Sequence, residues 1–534
     1  MKTTIKNLIL SAVLVVGGAS CVDLDTAPYD RETDLTYWEE DPEAAVKALN
    51  TCYTYLGNMD EQLYCEAMTD NAYTKQPNDA TQNIGNGSYS TADPYVKKVW
   101  DGRYTGIRMC NELLENIDRV PDLDPELKKR YIGEAKVLRA YNYYELYTKF
   151  GDVPYTTKVL SIKESMSIAR TAKATVIANV LADLDEVING NYLPTSYDAD
   201  NKGRITRWAA MAIKAKIYLF EGNWTQVKNI TSTIMTEGGV KLFGSYAGLF
   251  EIANEYNSEV ILDAQYRPTS REHQMMYVFL PPTLGGYSQL SPLQELVDSY
   301  IMLDGKTIKE TGTSFDESHP YANRDPRLKA TVMYTGNSYT LADGTEVVIN
   351  CEKGEGKDGY GVGSDCSATG YYIKKYWDNA YRATLYSGLN PILIRYADIL
   401  LMNAEALAEL GELDKTAWDA TIKPIRDRAG FTLASAVEFP EGASKDKLIE
   451  IVRNERRSEL ALEGHRHKDI IRWRIADDVL NGWCHGLKTN EVVGTDNGYV
   501  RVENRAFNAN KHYLWPIPQA ERDLNGNLVQ NPNW

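Results

Sequence analysis

Residues 205 to 236 read ITRWAAMAIKAKIYLFEGNWTQVKNITSTIMT. Ala209, Ala212 and Ala215 recur at three-residue spacing, large Ile217, Tyr218 and Leu219 follow, and EGNW separates them from a second apolar-periodic run. Small residues along one face let two helix axes come close, so the pattern predicts a helical hairpin. Residues 393 to 429 repeat the plan with Ala397, Ala404 and Ala408, a turn at Gly411, and a second helix to about Arg428. Neither pair can bury its apolar face alone, and two such units in one chain predict a mainly α fold in which helix pairs stack on one another.

The two units resemble degenerate tetratricopeptide repeats, although each taken alone also reads as an ordinary helical hairpin. Three more helices are expected. Residues 41 to 56 open with Asp41 as N-cap and Pro42 at the first helical position, and residues 104 to 118 and 126 to 149 keep the helical period, the last ending at Gly151. Residues 239 to 392 differ in texture. Short strand-like runs (EVILDAQY, TEVVIN, TGYYIKKYW) stand among Gly, Pro and Asn with no long amphipathic pattern. The expected organisation is a helical scaffold at about 37 to 238 and 390 to 480, carrying a loop-rich insertion at about 239 to 390 where binding residues concentrate.

The N-terminus has its own logic. Lys2 and Lys6 precede an apolar run at residues 8 to 16, then Gly17, Gly18, Ala19, Ser20 and Cys21. Nine apolar residues cannot cross a hydrocarbon core that needs about 20, but they suit an export signal occupying residues 1 to 20. The small residues before Cys21 resemble the lipobox of bacterial lipoproteins, with Gly18 where Leu is usual; the alternative is plain secretory cleavage. A doubly or triply acylated Cys21 would anchor the chain stably. Asp23 and Asp25 resemble an acidic surface-export tag, and a solvated tether accounts for them too.

Lys plus Arg number 58 against 74 Asp plus Glu, a net charge of −16. That argues against nucleic acid as partner, since phosphate binding needs a concentrated positive surface. Beyond Cys21 lie Cys52, Cys65, Cys110, Cys351, Cys366 and Cys484, with no C-x-x-C pair. Cys351 with Cys366 would close a short loop, and free buried thiols are the equal alternative. The G-x-G-x-x-G match at 354 to 359 (GEGKDG) is followed by more loop instead of the helix a dinucleotide site requires. His465 and His467 stand two apart and would point about 200° away from each other on a helix, unlike paired zinc ligands. The charged stretch 453 to 473 reads as a structural helix whose Arg and Glu pair with neighbours.

Tyr numbers 36 and Trp 10 against 9 Phe, so the chain favours aromatics with a polar handle. Those in loops are the binding candidates: Tyr73, Tyr89 and Tyr95 in the polar stretch 70 to 98, and Tyr287, Tyr360, Trp377 and Tyr381 in the insertion. Trp100, Trp208, Trp224 and Trp473 are expected in the core.

Several longer segments together are similar to the SusD/RagB family of outer-membrane nutrient-binding lipoproteins. They are EAKVLRAYNYYELYTKFGDVPY (134 to 155), RWAAMAIKAKIYLFEGNW (207 to 224), SYIMLDGKTI, NRDPRLKATVMY, IRYADILLMNAEALAELG, IVRNERRSELALEGHRHKDIIRW and YLWPIPQAERDLNGNLVQNPNW, in the family's order across nearly the whole chain. The departures are Gly18 and a final NPNW where NPGY is commoner.

The resemblance implies a SusD-like fold with four tetratricopeptide-like helix pairs backing a loop-rich ligand face. It also implies a SusC-like TonB-dependent transporter as partner, and a surface-exposed, lipid-anchored protein that delivers glycan fragments without cleaving them. Only Cys21 carries over with a named role, and no cofactor is implied; whether calcium is bound stays open. Peptide import and an unrecognised glycoside hydrolase are the rival functions.

Overall fold

The computed structural model describes residues 33–75 and 80–534, so the export signal and Cys21 lie outside the described residues. Ten helices carry the scaffold: α1 (Ala44–Tyr53), α2 (Pro94–Asn116), α3 (Pro125–Phe150), α4 (Lys173–Asn189), α5 (Arg207–Phe220), α6 (Trp224–Glu237), α7 (Tyr396–Leu410), α8 (Lys415–Ala429), α9 (Lys445–Glu459) and α10 (Arg466–Arg472). Each of α1 to α8 packs on the next, although 158 residues separate α6 from α7, and α9 closes against α7. The alanines foreseen at the hairpin contacts are buried, from Ala209, Ala212 and Ala215 to Ala397, Ala404 and Ala408.

Asp-Pro steps start the two longest helices. Asp93 accepts hydrogen bonds from Tyr95 and Val96 backbone N–H groups, and Asp124 from Glu126 and Leu127, with Pro94 and Pro125 at the first position. α2 therefore begins ten residues before the expected start, because polar Lys97, Lys98 and Asp101 mask its period. α1 begins at Ala44, later than expected; the Asp41 carboxylate accepts from Glu43 N at 2.8 Å and pairs with Lys47 at 2.7 Å. α3 lies at the centre. Every residue from Val137 to Phe150 is buried, as in a helix packed on all sides.

The strands form small antiparallel ladders: β1 (Ala72–Thr74) with β3 (Leu290–Pro292), β2 (Val260–Asp263) with β8 (Ile392–Arg395), β4 (Val332–Met333) with β7 (Tyr372–Ile373), and β5 (Ser338–Thr340) with β6 (Glu346–Val348). The three strand-like runs of the insertion correspond to β2, β6 and β7. A C-terminal sheet of β9 (Asn481–Lys488), β10 (Thr495–Asp496) and β11 (Tyr499–Ala506), in the order β10-β11-β9, has no clear trace in the sequence pattern. Gly482 and Gly486 interrupt its first strand. Trp100, Trp208 and Trp473 are buried and Trp224 is half-buried. All six described cysteines are free, so the Cys351–Cys366 pairing does not form; the Cys366 thiol donates to Lys357 O at 3.3 Å.

The charged stretch 453 to 473 is where the structure departs most from its sequence reading. It is two helices, α9 and α10, joined by a turn with Leu462 and Gly464 at positive φ, and its charges face inward to distant segments. Arg395 is 1% exposed and reaches Glu259 at 2.6 Å, Glu459 at 2.7 Å and Glu463 at 2.7 Å. Glu459 also meets Arg327 at 2.9 Å and Arg428, while Lys375 meets Glu463 at 2.7 Å. Arg456 bridges Asp398 and Asp469, and Arg466 with Arg457 holds Asp70. The insertion is thus tied to the scaffold by buried ion pairs.

Burial would raise the Glu459 carboxyl, but Arg428, Arg395 and Arg327 outweigh it and hold it at about 2; Arg395 and Lys375 do the same for Glu463. Carboxyls held below the ordinary range, near pH 4.3, add stability that is complete above about pH 5 and lost as pH falls toward about 2. Glu459→Gln strands buried arginine charge and should cost about 3–5 kcal/mol at neutral pH. Thermal unfolding followed by circular dichroism should show a lower midpoint for the variant, and a shallower decline between about pH 5 and 2 than in the native chain.

Candidate functional site

The insertion brings three loop segments to one surface. The first is a tight hairpin in which Arg267 and Arg271 exchange backbone hydrogen bonds at 3.0 and 2.9 Å around Pro268, Thr269 and Ser270. Thr269 takes φ 67°, and its N–H donates to Glu272 at 2.9 Å. The second is a short helix, Met275–Phe279, followed by a turn that returns Tyr287 onto Tyr277, Tyr287 N donating to Tyr277 O at 2.9 Å. That turn depends on glycine. Gly285 is left-handed at φ 88°, and a Cβ on Gly286 would fall 2.2 Å from Leu280 O. The third segment is the turn from Asp378 to Leu385, where buried Leu385 adopts φ 57° and sends Tyr386 outward. The His273–Ser387 bridge joins the first segment to the third.

Tyr277 and Tyr287 stack with ring centres 5.6 Å apart and planes 19° from parallel, and Tyr386 meets Tyr277 edge-on at 6.0 Å. Tyr287 and Tyr386 are 38% and 40% exposed, so ring surface and hydroxyls are both open to a ligand. Among the described residues, none of the three hydroxyls has a hydrogen-bond partner. Three arginines stand on the same loop segments. Arg271 stacks on Tyr266 at 4.9 Å, Arg267 stands opposite it across the hairpin, and Arg382 rises from the turn that carries Tyr386. Among the described residues no carboxylate lies within ion-pair distance of these three arginines. Like charges placed opposite on a ladder destabilise it. The surface can stack on the apolar face of a ring and donate hydrogen bonds to hydroxyl, carboxylate or sulfate oxygens.

Of the residues picked from sequence, only Tyr287 stands on this surface. Tyr73 lies in β1, half-buried, with its hydroxyl accepting from Gln82 at 3.1 Å. Tyr89 is buried between His512 and Trp534. Tyr95 sits in the first turn of α2 against Trp515 and not in a loop. Tyr360 packs half-buried on the insertion core, and Tyr381 is buried. Trp377 is half-buried, donates to Thr340 O at 3.2 Å and packs edge-on against Tyr339 at 5.2 Å. Tyr277, Tyr386 and the arginines were missed. The run RPTSR carried a signal, since a Pro-Thr-Ser turn sets the two flanking charges face to face.

The tests for other chemistry have structural answers. His465 faces Lys216 at 3.4 Å whereas His467 packs on Trp515, and burial lowers both to about 3. Among the described residues no group of three or more His, Cys, Asp and Glu is arranged to hold a metal ion. No helix opens after Gly359. Burial pushes Asp263 and Glu66 up to about 7, a value suited to proton transfer. Both oxygens of each are occupied: Asp263 by Gln265 and Asn390, Glu66 by Asn71 and the Gly464 N–H.

The chain was compared with known proteins. Residues 249–534 match the model described as the SusD family, and residues 37–219 match one described as starch-binding associating with outer membrane. A SusD-like protein of Formosa agariphila is 28% identical, with 99% of this chain and 98% of that one covered. The crystal structure of a SusD-like carbohydrate binding protein from Bacteroides fragilis NCTC 9343 is 29% identical with a TM-score of 0.81, covering 92% of this chain and 100% of the other. A second SusD-like protein from the same strain is 27% identical at TM-score 0.80, covering 95% and 100%. The motifs read in order along the chain, the stacked helix pairs and the family match over residues 249–534 agree: this chain belongs to the SusD family.

Proposed function

We propose that this chain is a non-catalytic glycan-binding subunit of an outer-membrane importer. The observation that carries the reading is the open Tyr277–Tyr287 stack with Tyr386 beside it. Sugars present apolar CH faces rimmed by hydroxyls, which flat rings with polar edges fit. The crystal structure of a SusD-like carbohydrate binding protein, similar over the length of this chain, supports the same ligand class. In this reading residues 21–534 act as one SusD-like unit, held by acyl chains on Cys21 at the cell surface, and hand bound oligosaccharide to a SusC-like TonB-dependent barrel. Among the described residues no helix is long and apolar enough to cross a membrane, in keeping with anchorage through lipid. Arg267, Arg271 and Arg382 favour glycans that carry carboxylate or sulfate.

Two outcomes are expected of the protein lacking residues 1 to 21. In a calorimetric screen of polysaccharides beside a peptide mixture, it should bind a glycan with no new reducing ends formed. Tyr287→Ala and Tyr386→Ala should each weaken binding about tenfold, or about 1.4 kcal/mol. Binding of peptides alone would replace the glycan reading, and release of reducing ends would revive a hydrolase. The second outcome concerns salt. Affinity for a uronate-bearing or sulfated glycan should fall between about 0.05 and 0.5 M salt, and the Arg267→Ala/Arg271→Ala double variant should lose most of that dependence while Tyr287→Ala retains it.

A further inference from the structure

A second aromatic cluster, sharing no residue with the one just described, lies where the insertion meets the C-terminal sheet. Its walls are the loop 317 to 322, the turn 334 to 336, the segment 351 to 355 and the tip of the β9–β11 hairpin, and they enclose a cleft of about 990 Å³. This is at the upper end of the range in which proteins hold small ligands. Half-buried Tyr321 lines one wall, stacked on buried Tyr334 with ring centres 4.0 Å apart and planes 17° from parallel. Beneath them buried Tyr371 stands at right angles to Tyr321, its hydroxyl 3.2 Å from that of Tyr321 and donating to Gln294 at 2.5 Å. Tyr499 faces them from the hairpin. The ladder register shifts between Tyr499 and Arg501, a bulge of the kind that re-aims side chains.

The cleft is pre-formed. Arg324, buried beneath it, donates to the carbonyl oxygens of Val297, Tyr300 and Pro320 and fixes the loop that carries Tyr321. His485 lies between Glu295 at 2.8 Å and Asp496 at 3.0 Å and pins the hairpin to the insertion. Its charge differs from that of the first surface. Lys488 pairs with Glu317 at 3.0 Å and Lys353 pairs with Glu491, so both lysines at the rim are neutralised. Glu352 and Glu355 are exposed there, with no cation within ion-pair distance among the described residues. A carboxylate or sulfate entering the cleft would meet uncompensated negative charge, whereas hydroxyls could bond to the carboxylates and to Asn490.

From this we infer that the tyrosine cleft is a second saccharide site, specific for neutral sugar units and independent of the Tyr277–Tyr287 surface. A chain with both sites could hold a polysaccharide of mixed composition at two points, or two different fragments. The inference rests on the glycan-binding reading only for the class of ligand, and the test separates the two.

The test uses the protein lacking residues 1 to 21 and four neutral probes: cellohexaose, laminarihexaose, maltohexaose and mannohexaose, titrated by calorimetry to millimolar concentration. At least one should bind the native chain. The Tyr287→Ala/Tyr386→Ala variant should bind it within twofold of native, whereas Tyr499→Ala should bind at least tenfold more weakly. Asn490→Trp, an exposed position that obstructs the cleft without touching the core, should also abolish binding and guards against a fold defect in Tyr499→Ala. Failure of all four probes to bind overturns the cleft proposal and leaves the first surface standing. Loss of binding in the Tyr287→Ala/Tyr386→Ala variant with retention in Asn490→Trp overturns it as well, by placing neutral sugar on the first surface.

Discussion

The Glu459 carboxylate accepts hydrogen bonds from three arginines that come from three parts of the chain. Arg327 belongs to the insertion, Arg395 to the end of β8, and Arg428 to the last turn of α8. With Glu259, Glu463 and Lys375 they form an ionic core almost closed to water, Arg428 at its edge. Such a cluster has little tolerance. Replaced wholesale by apolar side chains it could be as stable, but removing one member leaves the others buried and uncompensated. Its geometry therefore admits one relation between insertion and scaffold. No apolar stripe could specify that relation as narrowly, because apolar contacts are non-directional and these hydrogen bonds are not.

The tyrosine clusters inherit their placement from this core. β8 runs from the insertion into α7 and carries Arg395 at its end, while Lys375 sits just after β7 and Arg327 in the short helix before β4. From those anchors the loops reach outward and carry the locally unfavourable features. Leu385 and Thr269 hold positive φ, and Arg267 faces Arg271.

The helical half of the fold was legible in the sequence because its signals are local. Alanines at helical spacing and the EGNW and Gly411 turns each act within a few residues, and they located α5 to α8 closely. Where polar residues filled the exposed face, as at Lys97, Lys98 and Asp101, the start of α2 was hidden. The charged stretch 453 to 473 misled for a different reason. Charges at helical spacing look the same whether they meet water or distant partners, and Asp70, Arg327, Arg395 and Asp398, remote in sequence, turn them inward. The binding surface was mostly illegible. Tyrosines serve the core as often as a surface here, and Tyr89 and Tyr381, drawn from loop-like sequence, are buried. Tyr287 was picked on the same ground, as an aromatic in the loop-rich insertion, and it is the one that stands exposed.

The account is of a rigid helical scaffold that presents two tyrosine surfaces of unlike charge to saccharide. Hydrogen exchange followed by mass spectrometry, with and without the glycan that binds most tightly, tests this most directly. The account predicts protection in residues 266–273, 277–288 and 381–388 for an acidic glycan, or in 317–322 and 488–499 for a neutral one, with the α5–α6 and α7–α8 pairs unchanged. Protection confined to those helix pairs, with both tyrosine surfaces exchanging as in the free protein, would contradict it.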